Sequence, residues 1–141
     1  MNATYLVLYD GVCGLCNRLI RLLLRIDKNE LLSFAPLQGT TVKELSQQYN
    51  FTIDLPRHPD TIIMMSKDRS GDPVFYYRSD AILEICRRLP YRWRWLYLLK
   101  LIPRRFRDWV YDGIAARRYR WFGKYDTCPL PSPQHRHRFL P

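Results

Sequence analysis

Tyr5-Leu6-Val7-Leu8-Tyr9-Asp10-Gly11-Val12-Cys13-Gly14-Leu15-Cys16 is the stretch that decides how this chain is read. Tyr5 to Tyr9 is a short apolar run of strand formers, the pattern of a buried strand. Asp10-Gly11 ends it. From Cys13 to Ile26, Leu15, Leu19, Leu22, Leu23 and Ile26 fall at helical spacing, while Arg18, Arg21 and Arg25 share a separate face; this predicts a helix. The two cysteines therefore stand where a strand gives way to a helix. Free backbone amides and the positive end of the helix dipole stabilise a thiolate there. Cys13 is the expected nucleophile, with a lowered pKa. Cys16, one turn further in, is the expected resolving thiol that closes an internal disulfide and releases the partner. Gly14 leaves the backbone beside the nucleophile uncrowded. Gly11, Val12, Gly14 and Leu15 are the residues placed to meet a substrate.

A structural zinc site is the competing reading of the pair. Its second half would have to come from Cys86, Cys128, His58, His135 or His137. There is no second close cysteine pair, and His135 and His137 lie in a Pro-rich tail. No metal is expected, and no cofactor beyond the redox-active Cys13–Cys16 pair. Asp10 has two compatible readings. It can accept the proton of Cys16 when that thiol attacks a mixed disulfide, or it can bond the amides that open the helix. A carboxylate beside Cys13 would raise its pKa, so Asp10 should face Cys16 or the backbone.

Working outward, Leu32 to Ala35 reads as a second strand closed by Pro36. Thr41 to Tyr49 reads as a helix capped by Thr40 or Thr41, with Val42, Leu45 and Tyr49 as its apolar stripe. Thr61 to Met65 and Val74 to Tyr77 read as strands joined by a turn containing Ser70-Gly71-Asp72. Ser79 and Asp80 are expected to cap a third helix that runs to about Leu89, with Ile82, Ile85 and Leu89 inward. The order strand, helix, strand, helix, strand, strand, helix is that of a thioredoxin or glutaredoxin core, with a right-handed crossover and a parallel first pair. In such folds the position of Pro59 is often a cis-proline facing the disulfide, so Pro59 joins the candidate substrate contacts. Cys86 is expected in the core, and Cys128 as a buried anchor for the tail. Two more helices are expected, Trp93 to Leu101 and Arg104 to Phe122, the second with Phe106, Trp109, Val110, Gly113 and Ile114 as its apolar stripe.

The Asp-x-x-Cys-x-x-Cys run from Asp10 to Cys16 resembles the signature of the DCC family of thiol-disulfide oxidoreductases, named for this Asp and the two Cys. Pro103-Arg104-Arg105-Phe106-Arg107-Asp108, Tyr111, Arg118-Tyr119, Phe122-Gly123 and Cys128 are similar to its C-terminal signature. Arg117 stands where the family tends to have Asn. The resemblance covers roughly residues 5 to 130 and implies a class of chemistry, with a protein or small-molecule disulfide or dithiol as substrate. Gly14-Leu15 differs from the pairs found in thioredoxin and glutaredoxin, so no redox potential carries over.

Composition bounds the rest. At 141 residues, 47% of them hydrophobic, the chain is expected to form one domain. Four cysteines are too few for a disulfide-stapled secreted scaffold. No signal peptide or spanning segment is legible, and a cytoplasmic location is expected. The net charge of +10 is uneven: residues 90–124 carry 10 Lys/Arg and 2 Asp/Glu, and all four Trp. Residues 1–89 read as the redox core. Residues 90–141 read as a helical extension and tail packed on it. The basic aromatic segment has three readings: helices packed on the core, a membrane-surface contact through residues 91–124, and a nucleic-acid surface. Apolar residues at helical spacing usually pack inward, so the first is preferred and nucleic acid is set aside. The alternative to an oxidoreductase is a non-catalytic basic binding module with a structural Cys pair.

Overall fold

The computed structural model describes residues 5–50, 62–89, 91–123 and 132–141. Its elements run β1 (Tyr5–Tyr9), α1 (Gly14–Ile26), β2 (Leu32–Pro36), α2 (Thr40–Tyr49), β3 (Ile63–Lys67), β4 (Pro73–Tyr77), α3 (Arg78–Arg88), α4 (Tyr91–Arg94), the 3-10 helix η1 (Trp95–Leu101), α5 (Arg104–Phe122) and the 3-10 helix η2 (Pro133–Arg138). The four strands form one sheet in the order β2-β1-β3-β4. β1 and β2 are parallel, with Val7 opposite Phe34. β3 runs antiparallel to both β1 and β4. This is the α/β architecture, with a thioredoxin-like core, that the element order predicts.

Side chains alternate across a strand, and both faces of β1 are used. Val7 and Tyr9 join a core with Ile20 and Leu23 of α1 and Ile85 of α3. Leu6 and Leu8 point the other way, into a second core with Val42 of α2 and Ile63. That explains why β1 reads as an unbroken apolar run.

Several local expectations shift. On α1, Ile20 and Leu23 are buried with Cys16, while Leu22 is exposed. Gly39, not a threonine, holds the cap position of α2. The Thr41 amide donates instead to the carbonyl of Pro141 at 2.9 Å, so the chain end satisfies an orphan amide of this helix. β3 lies two residues later than expected, because its pairing with β4 extends to Lys67 opposite Pro73. α3 begins at Arg78, so Ser79 and Asp80 are inside it and do not cap it. Both reach α5: Ser79 Oγ donates to Asp108 at 2.6 Å, and Asp80 accepts from Arg107 at 2.9 Å. Cys86 is half-buried rather than in the core, and burial raises its pKa. The expected helix at Trp93 to Leu101 is one short α-helical turn followed by η1, none of whose residues is buried. The segment lies along α3 instead, with Arg87 5.6 Å from the Tyr97 ring centroid and Lys100 3.8 Å from Glu84.

The tail is held by features the sequence reading did not single out. The Phe139 backbone bridges to Phe34 of β2, and the two rings lie 5.4 Å apart. Arg138 is buried, its Nη2 donating to Asp27 at 2.5 Å and its Nε to the Leu32 carbonyl at 3.0 Å. Cys128, the expected anchor, lies outside the described residues.

The largest correction concerns α5. The stripe of Phe106, Trp109, Val110 and Ile114, expected to pack on the core, is exposed. The inward face carries polar groups instead. Arg107 Nη1 meets Asp80, the Tyr111 hydroxyl accepts from the Ile62 amide at 3.1 Å, and Arg118 is fully buried.

Candidate active site

Cys13 is the N-cap of α1, with extended backbone (φ −83°, ψ 126°). Its Sγ accepts the Cys16 amide at 3.4 Å. An N-cap side chain faces the first free amides of its helix, and here the acceptor is sulfur. The two cysteines approach to 3.5 Å, and both are free thiols. Asn17 braces the turn: its amide donates to the Gly11 and Cys13 carbonyls, each at 2.8 Å.

The geometry divides the proton between the sulfurs. The pKa of Cys13 is lowered to about 6, chiefly by a hydrogen bond from the Cys16 side chain, then by the Cys16 amide and the Arg118 guanidinium, against an opposing desolvation. That of Cys16 is raised, because its proton is shared with Cys13 and because it is buried. The reactive thiolate form is thereby favoured on Cys13 over Cys16.

Asp10 follows β1 and is buried. Its Oδ1 accepts the Val12 amide at 3.2 Å and Gln38 Nε2 at 2.8 Å. Its Oδ2 accepts the Tyr119 hydroxyl at 2.6 Å and Arg118 Nη2 at 2.8 Å. Arg118 also places Nη1 3.9 Å from Cys16 Sγ. Asp10 thus binds the backbone, as one reading expected, and shares Arg118 with Cys16. Burial and the bond to Asp10 raise the Tyr119 pKa, so its hydroxyl keeps its proton.

The remaining candidates are placed as follows. Gly11 is buried, its amide donating to Gln38 Oε1 at 3.2 Å. Val12 and Leu15 keep partial exposure. Gly14 is not beside open space. Its amide donates to the Gly123 carbonyl at 3.1 Å, and a Cβ there would stand 2.1 Å from the Phe122 carbonyl oxygen. Glycine is required so that the end of α5 can lie on the start of α1. Pro59 lies outside the described residues. Among those residues no cluster of His, Cys, Asp and Glu fits a metal ion, and His137 faces Glu30 at 3.1 Å.

Arg118, Tyr119 and Gln38 were not among the candidate site residues. Arg118 and Tyr119 were legible only as part of a distant motif. Their tie to Asp10 depends on α5 folding back over α1, which no local pattern encodes. Gln38 stands alone in the loop after β2.

Residues 7–124 match the DCC1-like thiol-disulfide oxidoreductase family. The chain is similar to the uncharacterized protein YuxK of Bacillus subtilis, 36% identical over 135 residues, covering 96% of this chain and 93% of that protein. It is also similar to the chloroplastic DCC family protein At1g52590 of Arabidopsis thaliana, 31% identical over 129 residues, covering 89% and 69% of the respective chains. No solved structure matches it.

Proposed function

Because the chain belongs to the DCC1-like thiol-disulfide oxidoreductase family, we propose that it performs thiol–disulfide exchange through Cys13 and Cys16. The observation that carries this is the unequal hold on the two sulfurs. Cys13 sits at the helix start with an amide aimed at it, and Cys16 lies one turn further along beside Arg118. In the reducing direction, the Cys13 thiolate attacks one sulfur of a substrate disulfide. The substrate S–S bond breaks, a mixed disulfide forms on Cys13, and the departing thiolate takes a proton from water. Cys16 then gives up its proton and attacks Cys13 Sγ. The mixed disulfide breaks, the second substrate thiolate leaves, and the Cys13–Cys16 disulfide is formed. A dithiol reductant restores the pair.

Asp10 has two tasks in this scheme. It holds Arg118 against Cys16, so that a cation faces the thiolate that appears there during resolution. It also accepts the proton that Cys16 releases. Tyr119 fixes the carboxylate in place. Cys13 is fully buried, and the Phe122–Gly123 backbone lies on the adjacent Gly14, so a disulfide reaches Sγ only after the surroundings of Cys13 shift. Partly exposed Val12 and Leu15 flank the path, and Pro59 is retained as a substrate contact. The substrate is a protein or small-molecule disulfide. The sparse use of cysteine supports a cytoplasmic setting.

The test is reduction of a small aromatic disulfide, followed by the thiolate released, with glutathione as reductant. Activity should be lost in Cys13→Ser. Unchanged turnover in that variant overturns the proposal.

A further inference from the structure

α5 is turned inside out relative to an ordinary surface helix, which faces its apolar stripe inward. Its polar residues do the internal work: Arg107 reaches Asp80, and Arg118 and Tyr119 reach Asp10. Its apolar residues point away. Trp109 is 71% exposed and Trp121 60%, with Phe106 and Ile114 on the same face. η1, immediately before it, leaves Leu98 65% and Leu101 86% exposed. Isolated exposed apolar residues need no explanation, but a row of them on one helix marks an interaction surface.

The charges around this row select the occupant. Arg104, Arg105, Arg117 and Arg120 are exposed on the same helix, and Arg92, Arg94 and Lys100 just before it. The two acids of α5 are already engaged: Asp108 with Ser79 and Arg104, Asp112 with Arg78. A second copy of the chain would set these arginines against one another, which disfavours self-association. Nucleic acid would use the cations and could stack on the indoles. It offers nothing to Leu98, Leu101, Val110 or Ile114, which have no ring to stack and no charge to pair. An anionic bilayer surface uses every part of the set. Aliphatic side chains enter the acyl boundary, indoles sit at the headgroup level, and arginines meet lipid phosphates. No helix among the described residues is long and apolar enough to cross a membrane, so the contact is interfacial.

We propose that the outward face of α5, with η1 beside it, docks the protein on an anionic lipid surface. The contact is independent of the thiol chemistry, because the residues facing the Cys pair lie on the opposite side of α5.

Co-sedimentation of the full chain with phosphatidylcholine vesicles, with or without about one-third phosphatidylglycerol, tests this, and quenching of tryptophan emission by brominated lipid reports depth. Binding should require the anionic lipid, weaken at high salt, and be accompanied by quenching. The paired substitution Trp109→Ser and Ile114→Ser should lower partitioning by about tenfold or more. Circular dichroism and Cys13 alkylation should be unchanged. Arg105→Glu with Arg120→Glu, both exposed, should do the same without loss of fold. Any of these results overturns the proposal: equal or absent binding to both vesicle types; salt-sensitive binding without quenching; full binding by the Trp109/Ile114 variant; or a dimer, seen by light scattering, that the same variant abolishes. Binding of the chain to an acidic peptide or single-stranded DNA, with none to vesicles, counts equally against it.

Discussion

Tyr119 donates its hydroxyl to Asp10 at 2.6 Å across 109 positions of sequence. The last turns of α5 thereby complete a motif that begins at the end of β1. Arg118 joins them, one guanidinium nitrogen on Asp10 and the other toward Cys16. Asp10 of the first signature and Arg118-Tyr119 of the second, distant in sequence, meet in one cluster in space.

Breaking that cluster should be costly. Removing one partner of a buried ion pair leaves an uncompensated charge, worth about 3–5 kcal/mol. Arg118→Met should therefore destabilise the fold by about 3 kcal/mol or more, measured by urea denaturation. Tyr119→Phe removes one hydrogen bond to a charged acceptor and should cost about 1.5–3 kcal/mol. A loss below about 0.5 kcal/mol for Arg118→Met would show that the pair is not held as described.

The thiolate is the reactive form of cysteine, so a pKa lowered to about 6 extends reactivity toward acid. Alkylation of Cys13 by iodoacetamide should be flat above about pH 7, fall through pH 6, and be small at pH 5. In Arg118→Met the stabilising cation is gone, so the midpoint moves up. Mass mapping assigns each modification, and Cys16, whose pKa is raised, should stay unmodified at neutral pH. A Cys13 midpoint near the free-thiol value of about 8.5 contradicts the assignment.

Gly14→Ala separates local propensity from packing. Alanine in a helix normally gains about 1 kcal/mol over glycine. Here its Cβ would meet the Phe122 carbonyl oxygen, and backbone cannot swing aside as a side chain can. The variant should be less stable despite the propensity gain. Its Cys13 should alkylate faster at pH 8, because the end of α5 is pushed off the start of α1. A stabilised Gly14→Ala protein would show that the contact is not formed.

The buried Asp27–Arg138 pair makes a parallel case for the tail. Arg138→Met should cost about 3 kcal/mol and expose the chain end to carboxypeptidase. Proteolysis indistinguishable from wild type would remove the tail from the fold.

What could be read from residues alone follows from which interactions are local. β1, the start of α1 and the full span of α5 were legible, because an apolar run, a Cys pair at a strand-to-helix switch and a Pro103 start are local signals. The burial of α5 was misread for a physical reason. Periodicity reports that Phe106, Trp109, Val110 and Ile114 share a face, but not which way it points. The outcome was decided by Asp80 and Asp10, whose carboxylates recruit Arg107 and Arg118 inward. Asp10 was recognised, but its partners were not. The anchoring of the tail by Arg138 was missed for the same reason, since Asp27 lies far away in sequence. Buried charge pairs are long-range choices, and hydrophobic patterning does not reveal them.

Capture of a substrate disulfide tests the central chemistry most directly. Each cysteine is replaced by serine in turn, and the protein is incubated with a disulfide-bonded peptide at pH 7. Intact-mass spectrometry then follows the adduct. With Cys13 attacking and Cys16 resolving, Cys16→Ser accumulates a stable mixed disulfide, mapped to Cys13, that dithiothreitol releases. Cys13→Ser gives none, and the unaltered chain shows the adduct only transiently before the Cys13–Cys16 disulfide forms. A stable adduct on Cys16 in the Cys13→Ser protein, or none in either variant, would contradict it.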